Sequence, residues 1–399
     1  MDPHAYLESL VHFGQKFGLE TMQTLCEGLG HPERAAPSLL IAGTNGKGSV
    51  AAYLDHALRA AGLRVGRYTS PHLVRVNERI VVDGRPIDDG ELGAVLDRVR
   101  AVFPLPTYFE ALTAAAFEHF RRAVVEVAVL EVGMGGRLDA TNVADPLVSA
   151  IVSIDFDHQS YLGSTLGAIA REKAGVMRPG RVTVVGPLPA EAQAAIDAQA
   201  AAVGAHVWSA RDGPRRRGEA PLPGAHQRDN QQVAVRVLEA AADAGLPIDL
   251  DAAFAGLAGT EWPGRLQWIP GDVPLLLDGA HNIAGARALA AHLETGGEPF
   301  VLLFGAMHDK AFAEMAAVLF PLAREVVITR PPVARAATTE ELAAAASALG
   351  IRCHVRPDVA SALALAQERA RGVGPVVVAG SLYLVGAVLA LNEGSGGSA

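Results

Sequence analysis

Apolar positions along this chain switch between two periods. Between Ser38 and Ile154 the runs "SLLIAG", "LRVGRY", "VAVLEVG" and "VSAIVSI" are short and nearly continuous, the pattern of strands buried on both faces. Between them the apolar residues of "SVAAYLDHALRAAG" and "YFEALTAAAFEHF" recur at helical spacing. In the second, Phe109, Leu112, Ala116 and Phe120 fall on one face and are expected in the core. Strands alternating with helices predict a parallel sheet wrapped on both sides. "RIVVDGRPI" departs from this, because Asp83-Gly84 between apolar runs predicts a hairpin at the sheet edge.

The alternation lapses across "RDGPRRRGEAPLPGAHQ", where Pro, Gly and charge dominate, and resumes as a helix in "NQQVAVRVLEAAADAG", ending at Gly245. It restarts at "VPLLLDGAHN". From there "FVLLFGA", "EVVITRP", "IRCHVRP" and "PVVVAGS" alternate with "KAFAEMAAVLFPL", "TTEELAAAASALG" and "VASALALAQERA", a second and smaller unit of the same class. The boundary is expected near Gly271. The predicted organisation is α/β throughout: a doubly wound, mostly parallel sheet domain over 1–270, a Rossmann-like α/β domain over 271–393, and a flexible tail over 394–399.

Composition fits this picture. The chain has 399 residues, 50% hydrophobic and 19% charged, enough for two separate cores. Its net charge of -9, from 34 basic and 43 acidic residues, argues against nucleic acid or an acidic membrane as partner. Arg215, Arg216 and Arg217 form the densest basic run, but no aromatics are interleaved and a solvated loop is expected. Cys26 and Cys353 are too few for a disulfide framework or a zinc site, and read as free thiols in a reducing compartment. The start "MDPHAYLESLVHFG" lacks the pattern of a signal peptide, and the apolar runs stop short of a membrane span. A cytoplasmic location is expected.

Candidate chemistry begins at "LLIAGTNGKGSV". The usual phosphate-loop pattern fails twice here, since Ile41 stands where the first glycine belongs and Gly48 separates Lys47 from Ser49. The glycines nevertheless lie between a predicted strand and a predicted helix, where backbone amides and the helix dipole favour an anion. Gly43, Gly46 and Gly48 would let phosphate approach closely, with Lys47 as a point charge. A glycine turn with a solvated lysine is the alternative for this motif alone. A second element, "VAVLEVGMGGRLDATN", carries a strand into Glu131 and then a glycine loop with Asp139 and Asn142. That places a carboxylate where open α/β sheets bind ligands, suited to Mg²⁺, which takes one or two protein carboxylates besides phosphate and water. A lone Glu would more often cap or pair with a cation; the pairing with the Gly43 loop favours the metal. Asp155, Asp157 and His158 end the next strand. A His there is usually a structural hydrogen bonder, and beside a metal site a second-ion ligand. From composition alone Lys173 is a solvated charge.

"IAGTNGKGSV", "YTSPHL", "LEVGMGGRLDATNV", "IAREKAGVMRPG", "GAHQRDN", "WPGRLQ", "DGAHN" and "VAGSLYLVGAV" occur in this order. Together they closely resemble the folylpolyglutamate synthase and dihydrofolate synthase family of the Mur-ligase superfamily, from about Leu39 to Val388. The family's own loop, G-T-N-G-K-G-S, accounts for the departures at Ile41 and Gly48. The resemblance implies an ATP-dependent ligase that joins L-glutamate to a folate-type carboxylate through an acyl phosphate, with tetrahydrofolate or dihydropteroate as acceptor and a monomer as the acting form. By resemblance, Thr44, Asn45, Gly46, Lys47, Gly48 and Ser49 wrap the ATP phosphates. Ser70 and Glu131 hold one Mg²⁺ and His158 a second, and Lys173 is the lysine that family members carbamylate. Asn230 and Arg265 reach the nucleotide, while Asp278 and His281 close on it from the smaller domain. Lys47, Lys173 and His281 are the expected catalytic groups. Asp278-Gly279 is also good turn chemistry. Asp139, Ala140 and Phe109 are expected near the pterin, and Ser381 and Tyr383 near glutamate; Phe109 equally fits the core stripe. A Mur-type ligase for a cell-wall precursor and a non-enzymatic nucleotide-binding module are the alternatives.

Overall fold

Every position of Ser38–Ala42 is buried, as a strand covered on both faces requires. In the computed structural model this run, β1, lies inside an eight-stranded sheet. The structure describes residues 2–11, 18–213 and 220–396. The other strands of the sheet are β2 (Val65–Tyr68), β3 (Ile80–Val82), β4 (Arg85–Pro86), β5 (Val127–Glu131), β6 (Val148–Ile151), β7 (Val182–Val185) and β8 (His206–Ser209). Their order is β4-β3-β2-β5-β1-β6-β7-β8. The strands from β2 to β8 across the sheet are parallel, and β3 and β4 add an antiparallel edge. Asp83 and Gly84 form the hairpin turn at that edge, both left-handed at φ 50° and 77°, as its tight geometry demands. β7 and β8 are strands that the apolar pattern left unassigned. Each is four residues long, and edge strand β8 is only partly buried, so neither carries a clear period.

The chain leaves β1 toward β2 on one side and returns to β6 on the other, so the connections reverse beside β1. Register sets Ile41 level with Glu131 and with Ala150, which brings the carboxyl ends of β1, β5 and β6 together at the place where doubly wound sheets bind ligands. Helix Lys47–Ala60 follows β1. Helix Tyr108–Arg122 is started by Thr107 and Glu110 in a reciprocal capping box. Leu112, Ala116 and Phe120 of its stripe are buried, but Phe109 is only half-buried, its ring tilted over Tyr68 at 5.9 Å between centroids.

The second sheet contains β9 (Gln267–Ile269), β10 (Leu275–Leu277), β11 (Val301–Phe304), β12 (Glu325–Ile328), β13 (Cys353–Val355) and β14 (Val376–Ala379). Its order is β13-β12-β11-β14-β10-β9, parallel except for β9. One of its apolar clusters includes an edge-to-face pair, Phe304 and Phe320, with centroids 5.1 Å apart. The chain forms two compact units: Met1–Pro71, Asn77–Pro221 and Gln227–Glu261 make the first, and His72–Val76, Leu222–His226 and Trp262–Ala399 the second. The sequence pattern puts the change near Gly271; β9, which precedes that glycine, pairs within the second sheet. The last helix, Leu382–Gly396, runs into the segment expected to be a flexible tail. Residues 397–399 and the run Arg215 to Arg217 lie outside the described residues. Among the described residues, no helix is long and apolar enough to cross a membrane.

The short segment His72–Val76 is part of the second unit because Leu73 and Val74 pack on its apolar cluster. A Cβ at Gly386, in the last helix, would stand 1.9 Å from the Leu73 carbonyl oxygen. Alanine is ordinarily the better helix former by about 1 kcal/mol, but here the clash is with backbone. Gly386→Ala is therefore expected to destabilise the protein by about 1–3 kcal/mol, read as a lower Tm by calorimetry. An unchanged or raised Tm would refute the close approach.

Candidate active site

The turn after β1 is fixed by the segment that follows β6. Thr44 donates its N–H to the Ser153 carbonyl at 2.8 Å, and Asn45 donates its own to Ser153 Oγ at 2.9 Å. Thr44 Oγ1 donates to the Asp155 carbonyl and accepts the Asp155 N–H, at 3.2 and 3.1 Å. Gly43 and Gly46 have φ of 154° and 84°, a region that side chains disfavour. A Cβ at Gly46 would lie 2.4 Å from Asn230 Oδ1. Gly46 caps helix Lys47–Ala60, whose first-turn N–H groups have no partners within the helix. Asn230 Nδ2 donates to Gln227 Oε1 at 2.9 Å, and Gln227 Nε2 to Ser49 Oγ at 3.2 Å. Ser153 and Gln227 are thus part of the loop's scaffold. Nothing in the local sequence marked Ser153, and Gln227 was visible only inside "GAHQRDN".

Two ammonium groups meet at this turn. Lys47 Nζ donates to the Gly43 carbonyl at 3.0 Å and to that of Thr44 at 3.3 Å, while Lys173 Nζ donates to the same Gly43 oxygen at 3.0 Å. Lys173 is only 4% exposed, which corrects the solvated charge expected from composition. Its helix, Leu166–Ala174, sits so near the glycine loop that a Cβ at Gly136 would be 2.8 Å from the Lys173 carbonyl oxygen. Burial, and then the charge of Lys47, push the Lys173 amine down to about 7, against the pull of Asp157 and Asp139. Near neutral pH much of it carries a free lone pair.

The carboxyl end of β5 supplies the acid. Glu131 is buried, and its Oε2 accepts the Ser70 N–H at 2.9 Å. The glycine loop beyond it is closed by Asp139, which accepts from Met134 N at 2.9 Å and from Thr141 N and Oγ1 at 3.0 and 2.6 Å. Burial raises the Asp139 carboxyl and these bonds oppose the rise. Ala140 is buried beside it, and Phe109 lies across the start of the loop, 2.5 Å from where a Gly133 Cβ would be. The fold therefore brings Phe109, Asp139 and Ala140 around one loop, with the Asp139 carboxylate bonded to the loop's own backbone. His158 adopts φ 50° at the start of Gln159–Leu162, with its Nε2 3.8 Å from Asp157 Oδ1. Among the described residues, no group of three or more His, Cys, Asp or Glu side chains is disposed to hold a metal ion. A carboxylate with a neighbouring serine suits Mg²⁺ bound partly through phosphate oxygens and water.

In the second unit, Asp278 follows β10 and organises the turn there, accepting from Leu266 N at 3.0 Å and Ala280 N at 2.9 Å. Burial raises its carboxyl, opposed first by the charge of Arg265. Arg265 donates to the Gly264 carbonyl at 3.0 Å and lies against Gly279, where a Cβ would be 2.3 Å away. His281 Nδ1 is 2.8 Å from the Gly279 carbonyl. The turn role of Asp278 thus coexists with the nearby charges of Arg265 and His226. Ser381 is buried and accepts the Tyr383 N–H at 3.1 Å. Arg335, which the sequence reading missed, lies over the Tyr383 ring at 5.4 Å and donates to its hydroxyl at 3.4 Å.

A family model described as "Mur ligase, glutamate ligase domain" matches residues 264–382. A Lacticaseibacillus casei protein named folylpolyglutamate synthase is 34% identical, the match covering 96% of both chains. A Halobacterium salinarum protein named as a probable bifunctional folylpolyglutamate synthase/dihydropteroate synthase is 38% identical over 95% of this chain, which spans 50% of that relative's length. The structure of a bifunctional folylpolyglutamate synthase/dihydrofolate synthase from Yersinia pestis, complexed with AMPPNP and Mn ion, superposes with a TM-score of 0.87 at 33% identity, covering 98% of this chain and 97% of that one.

The depressed Lys173 amine ties stability to pH. Between about 7 and the ordinary lysine value of 10.5, the unfolded chain holds a proton that the folded chain has lost, so stability rises with pH across that window. Lys173→Met is expected to lose that rise and to be the more stable protein at pH 7 and below, a gain of about 1 kcal/mol moving Tm by about 2–4 °C. Urea unfolding at several pH values measures this, and the same pH slope in both proteins would contradict the burial argument.

Proposed function

This chain belongs to the folylpolyglutamate synthase and dihydrofolate synthase family, and from that premise we propose that it adds L-glutamate to folate-type carboxylates at the expense of ATP. The observation that carries the proposal is the meeting of Lys47 and Lys173 at the Gly43 carbonyl, on a strand-to-helix turn beside Glu131. A carboxylate resists attack by an amine because its charge and resonance disfavour addition. Transfer of the γ-phosphoryl group of ATP to the carboxylate gives an acyl phosphate, the glutamate amino group adds to its carbonyl carbon, and phosphate leaves. The protein's part is positioning and charge neutralisation.

In this reading the backbone from Thr44 to Ser49 cradles the phosphates, Lys47 neutralises them, and Asn230 with Gln227 keeps the loop in shape. Ser70 and Glu131 would hold Mg²⁺, with His158 toward a second ion; the metal would draw charge from the phosphoryl oxygens. Lys173, partly neutral near pH 7, is suited to add to CO₂, forming an N–C bond and releasing a proton. The resulting carbamate would exchange a cation for an anion beside Lys47. Arg265, Asp278 and His281 are assigned to the nucleotide. Phe109, with Asp139 and Ala140 shaping the loop, is assigned to the pterin, and Ser381 and Tyr383 to glutamate. The protein is read as a monomer acting in the cytoplasm, in keeping with the free thiols of Cys26 and Cys353. The Lacticaseibacillus casei relative, matched over almost its whole length, supports a folate substrate over a cell-wall precursor. Dihydrofolate synthesis from dihydropteroate is proposed as a second activity on the same phosphate machinery, in line with the name of the Yersinia pestis neighbour.

ATP turnover is expected to require both glutamate and a folate acceptor, and Lys47→Ala to lower it by about a hundredfold or more while leaving the melting curve near wild type. A coupled ADP assay with tetrahydrofolate, and separately with dihydropteroate, measures this. Turnover that ignores glutamate, or that survives Lys47→Ala, would contradict the reading.

A further inference from the structure

The turn machinery leaves unexplained a buried cluster of charges on one face of the first sheet. Asp55, in helix Lys47–Ala60, is fully buried. Its Oδ2 accepts from Arg59 Nη2 at 3.2 Å and from Arg67 Nη1 at 3.3 Å. Arg67 lies on β2, where a side chain covered by sheet and helix would ordinarily be apolar. Gly66, its neighbour, faces the opposite side, against the Phe120 ring. Removing such charges from water costs more than their attraction commonly returns, and apolar replacements are often neutral or stabilising. Stability alone is a poor reason for this arrangement.

Register supplies a better one. Arg67 pairs with Val129 on the parallel neighbour β5, and Glu131 stands two residues farther along the same face. Arg67 and Glu131 are thus diagonal neighbours, a spacing of roughly 7–8 Å that long side chains bridge. The charges acting on the Arg67 guanidinium are Asp55, Arg59 and Glu131. Two arginines share the Asp55 carboxylate, and one of them, Arg67, also feels the charge of the carboxylate assigned to Mg²⁺. We propose that Arg67, clamped by Asp55, offsets the Glu131 charge so that a divalent cation binds there only in company with nucleotide phosphate. Arg67 is then a positioning residue acting through Glu131. The free protein would avoid capturing a metal ion in a state that phosphate must later displace.

This inference rests on Glu131 being a metal ligand, and the test separates the two. Mn²⁺ binding to the nucleotide-free protein is measured by the loss of the free-ion paramagnetic resonance signal. Arg67→Gln is expected to tighten it about tenfold or more, since a unit charge is lost from beside a divalent ion. Arg67→Lys keeps the charge and is expected to behave as wild type. Arg67→Met, which removes the same charge and fills the site with an apolar chain while Arg59 still pairs Asp55, covers the case that the Gln variant folds poorly, and is expected to show the same gain. Adding Glu131→Gln to either neutral variant should abolish it. No gain in either neutral variant overturns the proposal. If Glu131→Gln instead leaves the Mn²⁺ requirement of turnover unchanged, the metal assignment itself falls.

Discussion

One carbonyl oxygen, that of Gly43, receives the ammonium groups of both Lys47 and Lys173, and most of the site follows from what that demands. Two like charges at such range in a buried place repel strongly. The conflict is relieved when Lys173 gives up its proton, when it becomes an anion, or when phosphate arrives. The fold enforces the conflict by placing β1 in the interior of the first sheet, by following it with a left-handed turn that glycine permits, and by laying helix Leu166–Ala174 so that Lys173 points inward.

In each unit, an acidic side chain that the sequence assigned to a ligand bonds to backbone. Asp139 ties the loop after β5 and Asp278 ties the turn after β10, each accepting main-chain N–H groups while burial favours the neutral acid. Their contribution is rigidity, the condition for a site whose catalysis is positioning. Glu131 differs, since it ends a strand level with the end of β1 and shares its sheet face with the Asp55 and Arg67 cluster. The acids thus divide into those that hold loops and Glu131, which stands at a strand end and is proposed to hold a cation.

The parts of this arrangement differed in how plainly the sequence displayed them. The strand, glycine and helix succession around Lys47 was legible because each step has its own local signature, and so was the Asp83-Gly84 hairpin. β8 and β9 were not, because runs of three or four residues at sheet edges are too short and too exposed to establish a period, and β7, though mostly buried, is a run of only four residues. The burial of Lys173 was invisible to composition. It depends on the close approach of Gly136 to a helix distant in sequence, a tertiary fact that only resemblance to a family could anticipate. Ser153 escaped for the same reason, since its role is to accept and donate across to a loop more than a hundred residues earlier. Phe109 fitted both a core stripe and a stacking surface, and its half-buried ring leaves it able to serve at the edge of the core.

The most direct test is a crystal structure with a non-hydrolysable ATP analogue and Mg²⁺. The account predicts the triphosphate on the amides from Thr44 to Ser49, its terminal phosphate within reach of Lys47 and Lys173, and the metal beside Glu131. A nucleotide lodged elsewhere, with the turn after β1 bare, would contradict it.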